Sequence, residues 1–170
     1  MNYSYERKYK DELRAELARL RPNFMLTMNY RKPLSGGAAA RRQTVTKHFR
    51  QWNRELLKAL YGRKFARRNQ DDAVLSVAFI EVGPLLGKEH LHMLVKVPTE
   101  LRERFRAKAA AAWQPMETAP ATGNPKRPIE SDVVVREISD LEGAIRYCSK
   151  DVRADSDSIV FSSEFRSAVA

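Results

Sequence analysis

Two strand-length apolar runs stand close together in the middle of the chain, AVLSVAFIEV at 73–82 and HLHMLVKV at 90–97, with GPLLGKE between them. A proline and two glycines in so short a connection mark a turn, so the two runs read as a β-hairpin. Whatever else the chain forms must be arranged around that pair.

The flanking segments supply the rest of a sheet and its helices. Residues 4–20 place Tyr9, Leu13, Leu17 and Leu20 at helical spacing with charges elsewhere, and Pro22 closes the segment. NFMLTMNY at 23–30 is rich in β-formers and reads as a strand. RKPLSGGAAARR follows as a loop, and over 44–60 Val45, Phe49, Trp52, Leu56 and Leu60 mark one face of a helix. A second helix is expected over 100–113. The proline-rich segment 114–131 is expected to be a mobile loop, and DVVVREI at 132–138 to be a strand. A capping box, Ser139-x-x-Glu142, opens a last helix that runs to about Lys150, and the tail after Asp155 carries no strong pattern.

Between 23 and 138 the order is therefore strand, helix, strand, strand, helix, strand. That is an α+β chain with a ferredoxin-like (RRM-like) βαββαβ core, an antiparallel sheet with helices on one face. Helices flank this core at its N- and C-terminal ends. No internal repeat or second domain is visible, so 1–170 reads as one domain with an N-terminal helical segment over 1–21.

Charge narrows the partners. Among 170 residues, 31 lysines and arginines against 21 acidic residues give a formal net charge of +10. A surplus that large favours a polyanion, nucleic acid first and an anionic membrane surface second. Cys148 is the lone cysteine, which excludes an intramolecular disulfide and a cysteine-based zinc site. No apolar stretch approaches the ~20 residues of a membrane span, and MNYSYERKYKDELRAEL lacks the apolar core of a signal peptide. The expected setting is reducing and cytoplasmic (or nuclear), with no membrane partner.

Three groups of residues could carry chemistry. His90 and His92 are i and i+2 on a strand, so both imidazoles aim at one face. With a carboxylate they could hold Mn²⁺, Mg²⁺, Zn²⁺ or Co²⁺. Glu81, on the pairing strand, is the favoured third ligand. Glu89 should point to the other face, although the hairpin register that decides between them is not readable from sequence. Metal-free histidines packed on the sheet are the plain alternative. Tyr147 and Lys150 lie three apart on the last helix and so share a face, with Gly143 and Ala144 one turn back leaving room for a ligand. A tyrosine hydroxyl titrates near ~10 and needs a neighbouring cation to become a good nucleophile. More plainly, such a pair is a core tyrosine and a surface lysine. Finally, Arg41, Arg42, Lys47, Arg50, Arg54, Arg63, Lys64, Arg67 and Arg68 form a basic segment suited to phosphates. Tyr30, His48, Tyr61 and Phe65 are interleaved as candidate base-stacking rings, while Trp52 falls on the apolar face of its helix and reads as core.

Together these segments resemble the HUH superfamily of single-strand DNA endonucleases, especially rolling-circle replication initiators. FMLTMN (24–29) is similar to the family's first motif, EHLHMLVK (89–96) to its His-hydrophobe-His motif, and YCSK (147–150) to its Tyr-x-x-Lys motif. The three occur in the family's order and span most of the chain. The resemblance implies metal-dependent nicking and strand transfer on single-stranded DNA, at an origin or hairpin. It implies a metal, Mn²⁺ or Mg²⁺ first, on His90, His92 and Glu81, a nucleophile at Tyr147, charge neutralisation by Lys150 and a 5′-phosphotyrosine intermediate. Residues 143 and 151 are Gly and Asp, so this is a single-tyrosine version. No P-loop pattern is present, which implies a separate helicase as partner wherever unwinding is needed. A single-tyrosine transposase or small relaxase shares this chemistry. A non-catalytic single-strand or RNA-binding module is the alternative from another class, although KHFRQWN and FMLTMNY lack the RNP aromatic pattern.

Overall fold

In the computed structural model, which describes residues 3–30, 34–62, 74–82, 89–117, 133–153 and 158–162, regular structure begins with α1 (Tyr3–Leu20), β1 (Phe24–Asn29) and α2 (Ala38–Tyr61). The hairpin strands β2 (Leu75–Val82) and β3 (Glu89–Lys96) follow, then α3 (Arg102–Glu117), β4 (Val133–Glu137), α4 (Leu141–Cys148) and β5 (Ile159–Phe161). The strands form one antiparallel sheet in the order β4-β1-β3-β2-β5. Its first four positions are those of the expected βαββαβ core. β5, absent from the sequence reading, pairs Ile159–Phe161 with Val77–Phe79 on the outer edge of β2. Three residues are too few for alternation to announce a strand.

Helices cover both faces of the sheet rather than one. Phe24, Leu26 and Met28 of β1 and Leu91, Met93 and Val95 of β3 pack beneath α2 and α3. Leu75, Val77 and Phe79 of β2 and Leu94 of β3 pack instead with Leu17 and Leu20 of α1 and Ile145 and Cys148 of α4. The flanking helices thus close the second face. This explains why β3, at the centre, reads as an apolar run without clean alternation: both faces are buried under helices.

Local chemistry sets the element ends. α2 begins at Ala38, six residues before the expected start, because Ala-Ala-Ala-Arg-Arg is a strong helix-forming run. Thr44 sits inside it, its hydroxyl donating to the Ala40 carbonyl at 3.0 Å. Gly62 ends the helix at φ 68, a left-handed backbone that glycine adopts without a Cβ penalty. Trp52 is fully buried, as its position on the apolar face predicts, and its indole N–H donates to Ala109 O at 2.9 Å, tying α2 to α3. Burying a ring of that size contributes roughly 3 kcal/mol. α3 continues to Glu117, past the expected start of the loop at 114. The remainder of that loop, 118–131, lies outside the described residues.

At the start of β1, Asn23 acts as a clip. Its side-chain amide exchanges hydrogen bonds with Val97, donating at 2.7 Å and accepting at 2.9 Å. Its backbone N–H also donates to Val95 O and its carbonyl accepts from Ile138 N. β1 is thereby held between β3 and β4, with Thr27 opposite His92.

Candidate metal centre and nucleophile helix

The hairpin register decides the ligand set. Glu81 stands directly opposite His90, and Phe79 opposite His92, so Glu81 shares a sheet face with both histidines. Its Oε1 lies 3.5 Å from His90 Nε2 and its Oε2 3.4 Å from His92 Nε2. One donor atom from each of the three residues falls within 4.8 Å of the others, a spacing that can hold a metal ion. Glu89 points to the opposite face, as adjacency on a strand requires. There it is buried, paired with Arg41 Nε at 2.7 Å, and accepts from Leu34 N at 3.3 Å. Glu89 is therefore committed to holding the start of α2 against β3.

The electrostatics suit coordination. His92 is only 4 % exposed at its side chain. Burial, reinforced by the charge of neighbouring His90, pushes its pKa below the usual histidine value, so the neutral ligand form prevails. Its Nδ1 is 3.2 Å from Thr27 Oγ1, across the β1–β3 ladder. Its Nε2 is buried and makes no hydrogen bond, although Glu81 is near. A buried ring nitrogen without a hydrogen bond, beside a carboxylate and a second imidazole, is a donor that could serve a metal ion. Two nitrogens and one carboxylate are a donor set that Mn²⁺, Mg²⁺, Zn²⁺ or Co²⁺ can take.

α4 brings the tyrosine to this cluster. Its N-cap is Asp140, not Ser139, with the Asp140 carboxylate accepting from Gly143 N at 2.9 Å. A charged acceptor three residues ahead of an open amide is a strong cap, and it leaves Glu142 free to pair with Arg146 at 2.7 Å. Gly143 makes space for this cap rather than for a ligand, because an added Cβ would collide with the Asp140 carboxylate. The helix ends at Cys148, so Lys150 lies in the turn beyond it, its N–H donating to Tyr147 O at 3.4 Å. That i→i+3 turn preserves the expected juxtaposition. The Tyr147 ring meets the His92 ring edge-on at 4.9 Å, and Lys150 Nζ sits 4.5 Å from the Tyr147 ring centroid and 3.1 Å from Glu81 Oε1. Slight burial would lower the Lys150 pKa, but the hydrogen bond and charge of Glu81 outweigh it and raise the value. Lys150 is a cation here, not a base. The neighbouring Cys148 thiol is pushed up to about 12, by burial first and then by Glu81, which makes it a core group.

α1 fastens the far end of α4. Lys10 Nζ donates to the Lys150 carbonyl at 2.9 Å, and Arg14 Nε donates to Ser149 Oγ at 3.1 Å. Ser149 Oγ in turn donates to Ile145 O at 2.8 Å. Cations at a helix C-terminus satisfy its last carbonyls and oppose its dipole. Thr27, Lys10 and Arg14 escaped the sequence reading. Thr27 stands in the first motif and directly opposes His92, a signal legible only once the register is known.

The described part of the basic segment, Arg41, Arg42, Lys47, Arg50 and Arg54, is not brought to this cluster. α2 packs on the sheet face opposite Glu81, His90 and His92. Arg41 is occupied by Glu89, and Arg54 lies 3.3 Å from Glu55. Lys47 and Arg50 are exposed, Arg42 is half-buried, and Arg63, Lys64, Arg67 and Arg68 lie outside the described residues. Nor is Tyr30 a stacking platform: it is buried, its hydroxyl is 3.0 Å from His48 Nδ1, and its ring packs edge-on against Trp113. Tyr61 is half-buried at the end of α2, and Phe65 lies outside the described residues. Among the described residues, no helix is long and apolar enough to cross a membrane. Comparisons with protein-family models, with curated proteins and with solved structures gave no match for this chain.

Proposed function

We propose that the protein is a divalent-metal-dependent endonuclease and strand transferase for single-stranded DNA, working through a 5′-phosphotyrosine at Tyr147 to initiate rolling-circle replication. One observation carries this reading: Tyr147 and Lys150 converge on the same sheet face, and on the same carboxylate and imidazole, as the Glu81/His90/His92 cluster. A core tyrosine would be covered, whereas Tyr147 is 46 % exposed. The cluster is also approachable. On its face of the sheet the β1 and β4 side carries Asn29, Val134 and Arg136, all exposed.

A divalent ion, Mn²⁺ or Mg²⁺, on Glu81, His90 and His92 would supply Lewis-acid polarisation of a phosphate. The chain's own residues do the rest. The Tyr147 oxygen attacks phosphorus, a new P–O bond forms, and the bond from phosphorus to the 3′-oxygen breaks. The phenolic proton passes to solvent, and the departing 3′-oxygen takes one up as a hydroxyl. Lys150, held protonated beside the ring, offsets the negative charge that develops on the tyrosine oxygen and the phosphate. The stored phosphodiester lets the 3′-hydroxyl attack in reverse and rejoin a strand without a nucleotide cofactor. The liberated 3′-hydroxyl is also a primer, and a separate helicase partner would supply unwinding.

The test is a covalent adduct. The protein is incubated with a sequence-diverse pool of labelled single-stranded oligonucleotides, with Mn²⁺ or EDTA, beside Tyr147→Phe. A denaturant-resistant adduct that needs metal and vanishes in the variant is expected. Tight binding without any adduct would favour a non-catalytic single-strand-binding module. An adduct surviving in Tyr147→Phe would remove Tyr147 from its role.

A further inference from the structure

We propose that Thr27 is a positioning residue for the metal centre: by occupying Nδ1 of His92, its hydroxyl commits Nε2 of that ring to the ion. The inference rests on the metal centre proposed above and extends it to a strand that contributes no ligand. Thr27 and His92 are direct partners across the β1–β3 ladder, with Oγ1 3.2 Å from Nδ1. The ring is buried, and its Nε2 is left without a hydrogen bond on the side of Glu81.

A neutral imidazole carries one N–H and one lone pair, and a metal requires the lone pair. A hydroxyl can both donate and accept, so Thr27 serves Nδ1 in either tautomer by rotating about its C–O bond. Without an ion, Thr27 can donate to Nδ1 while an Nε2–H faces the Glu81 carboxylate. With an ion, the proton resides on Nδ1 and Thr27 accepts it, which frees the Nε2 lone pair. The Thr27 hydroxyl thus fixes the ring in one orientation through both states. Such outer partners typically contribute ~10–100-fold in metal affinity.

Thr27→Val keeps the β-branched shape and removes the hydroxyl, and Thr27→Ser restores it. Mn²⁺ and Zn²⁺ are titrated calorimetrically into wild type and both variants. Melting of the metal-free forms shows whether each is folded. We expect binding ~10–100-fold weaker in Thr27→Val and near wild type in Thr27→Ser. Nitrogen-15 spectra of the Zn²⁺ form should show His92 bound through Nε2 and protonated at Nδ1. Wild-type affinity in a folded Thr27→Val, or coordination through Nδ1, would overturn the proposal while leaving the metal centre intact. No metal binding by wild type would remove the centre and this inference together. Thr27-dependent binding without DNA adducts would leave this inference standing and remove the nickase. Should Thr27→Val fail to fold, the wild-type nitrogen-15 assignment decides.

Discussion

His92 and Tyr147 meet edge to face at 74°, their ring centroids 4.9 Å apart, so the candidate nucleophile rests on one of the candidate metal ligands. The contact is made by the ring of Tyr147 and not by its hydroxyl. Tyr147→Phe should therefore melt within about 0.5 kcal/mol of wild type and bind Mn²⁺ equally well, whereas Tyr147→Ala should lose about 1 kcal/mol. Denaturant titration and calorimetry separate the two. Loss of metal affinity in Tyr147→Phe would mean that the hydroxyl belongs to the metal's own ligand set.

Lys150 pairs with the carboxylate that a metal ion on Glu81, His90 and His92 would also use. The ammonium lies 3.1 Å from Glu81 Oε1, where it already supplies positive charge. Lys150→Met should bind Mn²⁺ more tightly, by up to about fivefold, the equivalent of the ~1 kcal/mol that an exposed ion pair contributes at most. Its adduct formation should fall all the same, because the cation beside the tyrosine is lost. Weaker metal binding in this variant would show that Lys150 assists the ion rather than opposing it.

The metal-free protein should weaken in mild acid. His48 and His92 both have folded pKa values below 6.5, chiefly through burial, with the Lys47 charge adding to His48 and the His90 charge to His92. Below the unfolded value the unfolded chain binds protons that the folded chain refuses. Stability is thus full above that value and is lost as pH falls through it toward the folded values. Urea midpoints measured from about pH 8 to pH 5 should decline through this window. Added Mn²⁺ should raise the midpoint most at the alkaline end, because protons compete for the same nitrogens. A flat profile would contradict the burial of these rings.

Removing one partner of the Arg41–Glu89 pair strands a buried carboxylate. Arg41 is partly exposed and Glu89 nearly sealed. Arg41→Met should cost about 3 kcal/mol, and Arg41→Met combined with Glu89→Gln should recover most of it. A small loss in the single variant would show that water reaches Glu89. The pair lies on the opposite face from Tyr147, so adduct chemistry should track stability alone.

The sequence was informative where one face of an element is covered and uninformative where the answer lies in register. Leu13, Leu17 and Leu20 announce α1 because one stripe of that helix is buried. β3 hides its alternation because helices cover both of its faces. The histidine pair was legible since i and i+2 share a face on any strand. Choosing Glu81 over Glu89 rested on strand parity, and the distances depended on a register that no local pattern encodes. Asp140 and Ser139 both offer a side-chain cap, and it is the Asp140 carboxylate that accepts from Gly143 N. The basic run was visible as charge, but the separation of its α2 residues from the cluster follows from which face α2 covers.

The three metal-facing side chains belong to a hydrogen-bonded hairpin, while Tyr147 arrives on a helix that meets the sheet through side chains and is tethered from behind by α1. The candidate ligands and the tyrosine thus sit on two different elements, joined at the cluster by the Lys150–Glu81 pair and the Tyr147–His92 ring contact. In the proposed reaction the ion would be held by the hairpin and the nucleophile presented by α4. Lys10 and Arg14 anchor to α1 the C-terminal end of that helix, the end that carries Tyr147 and Lys150.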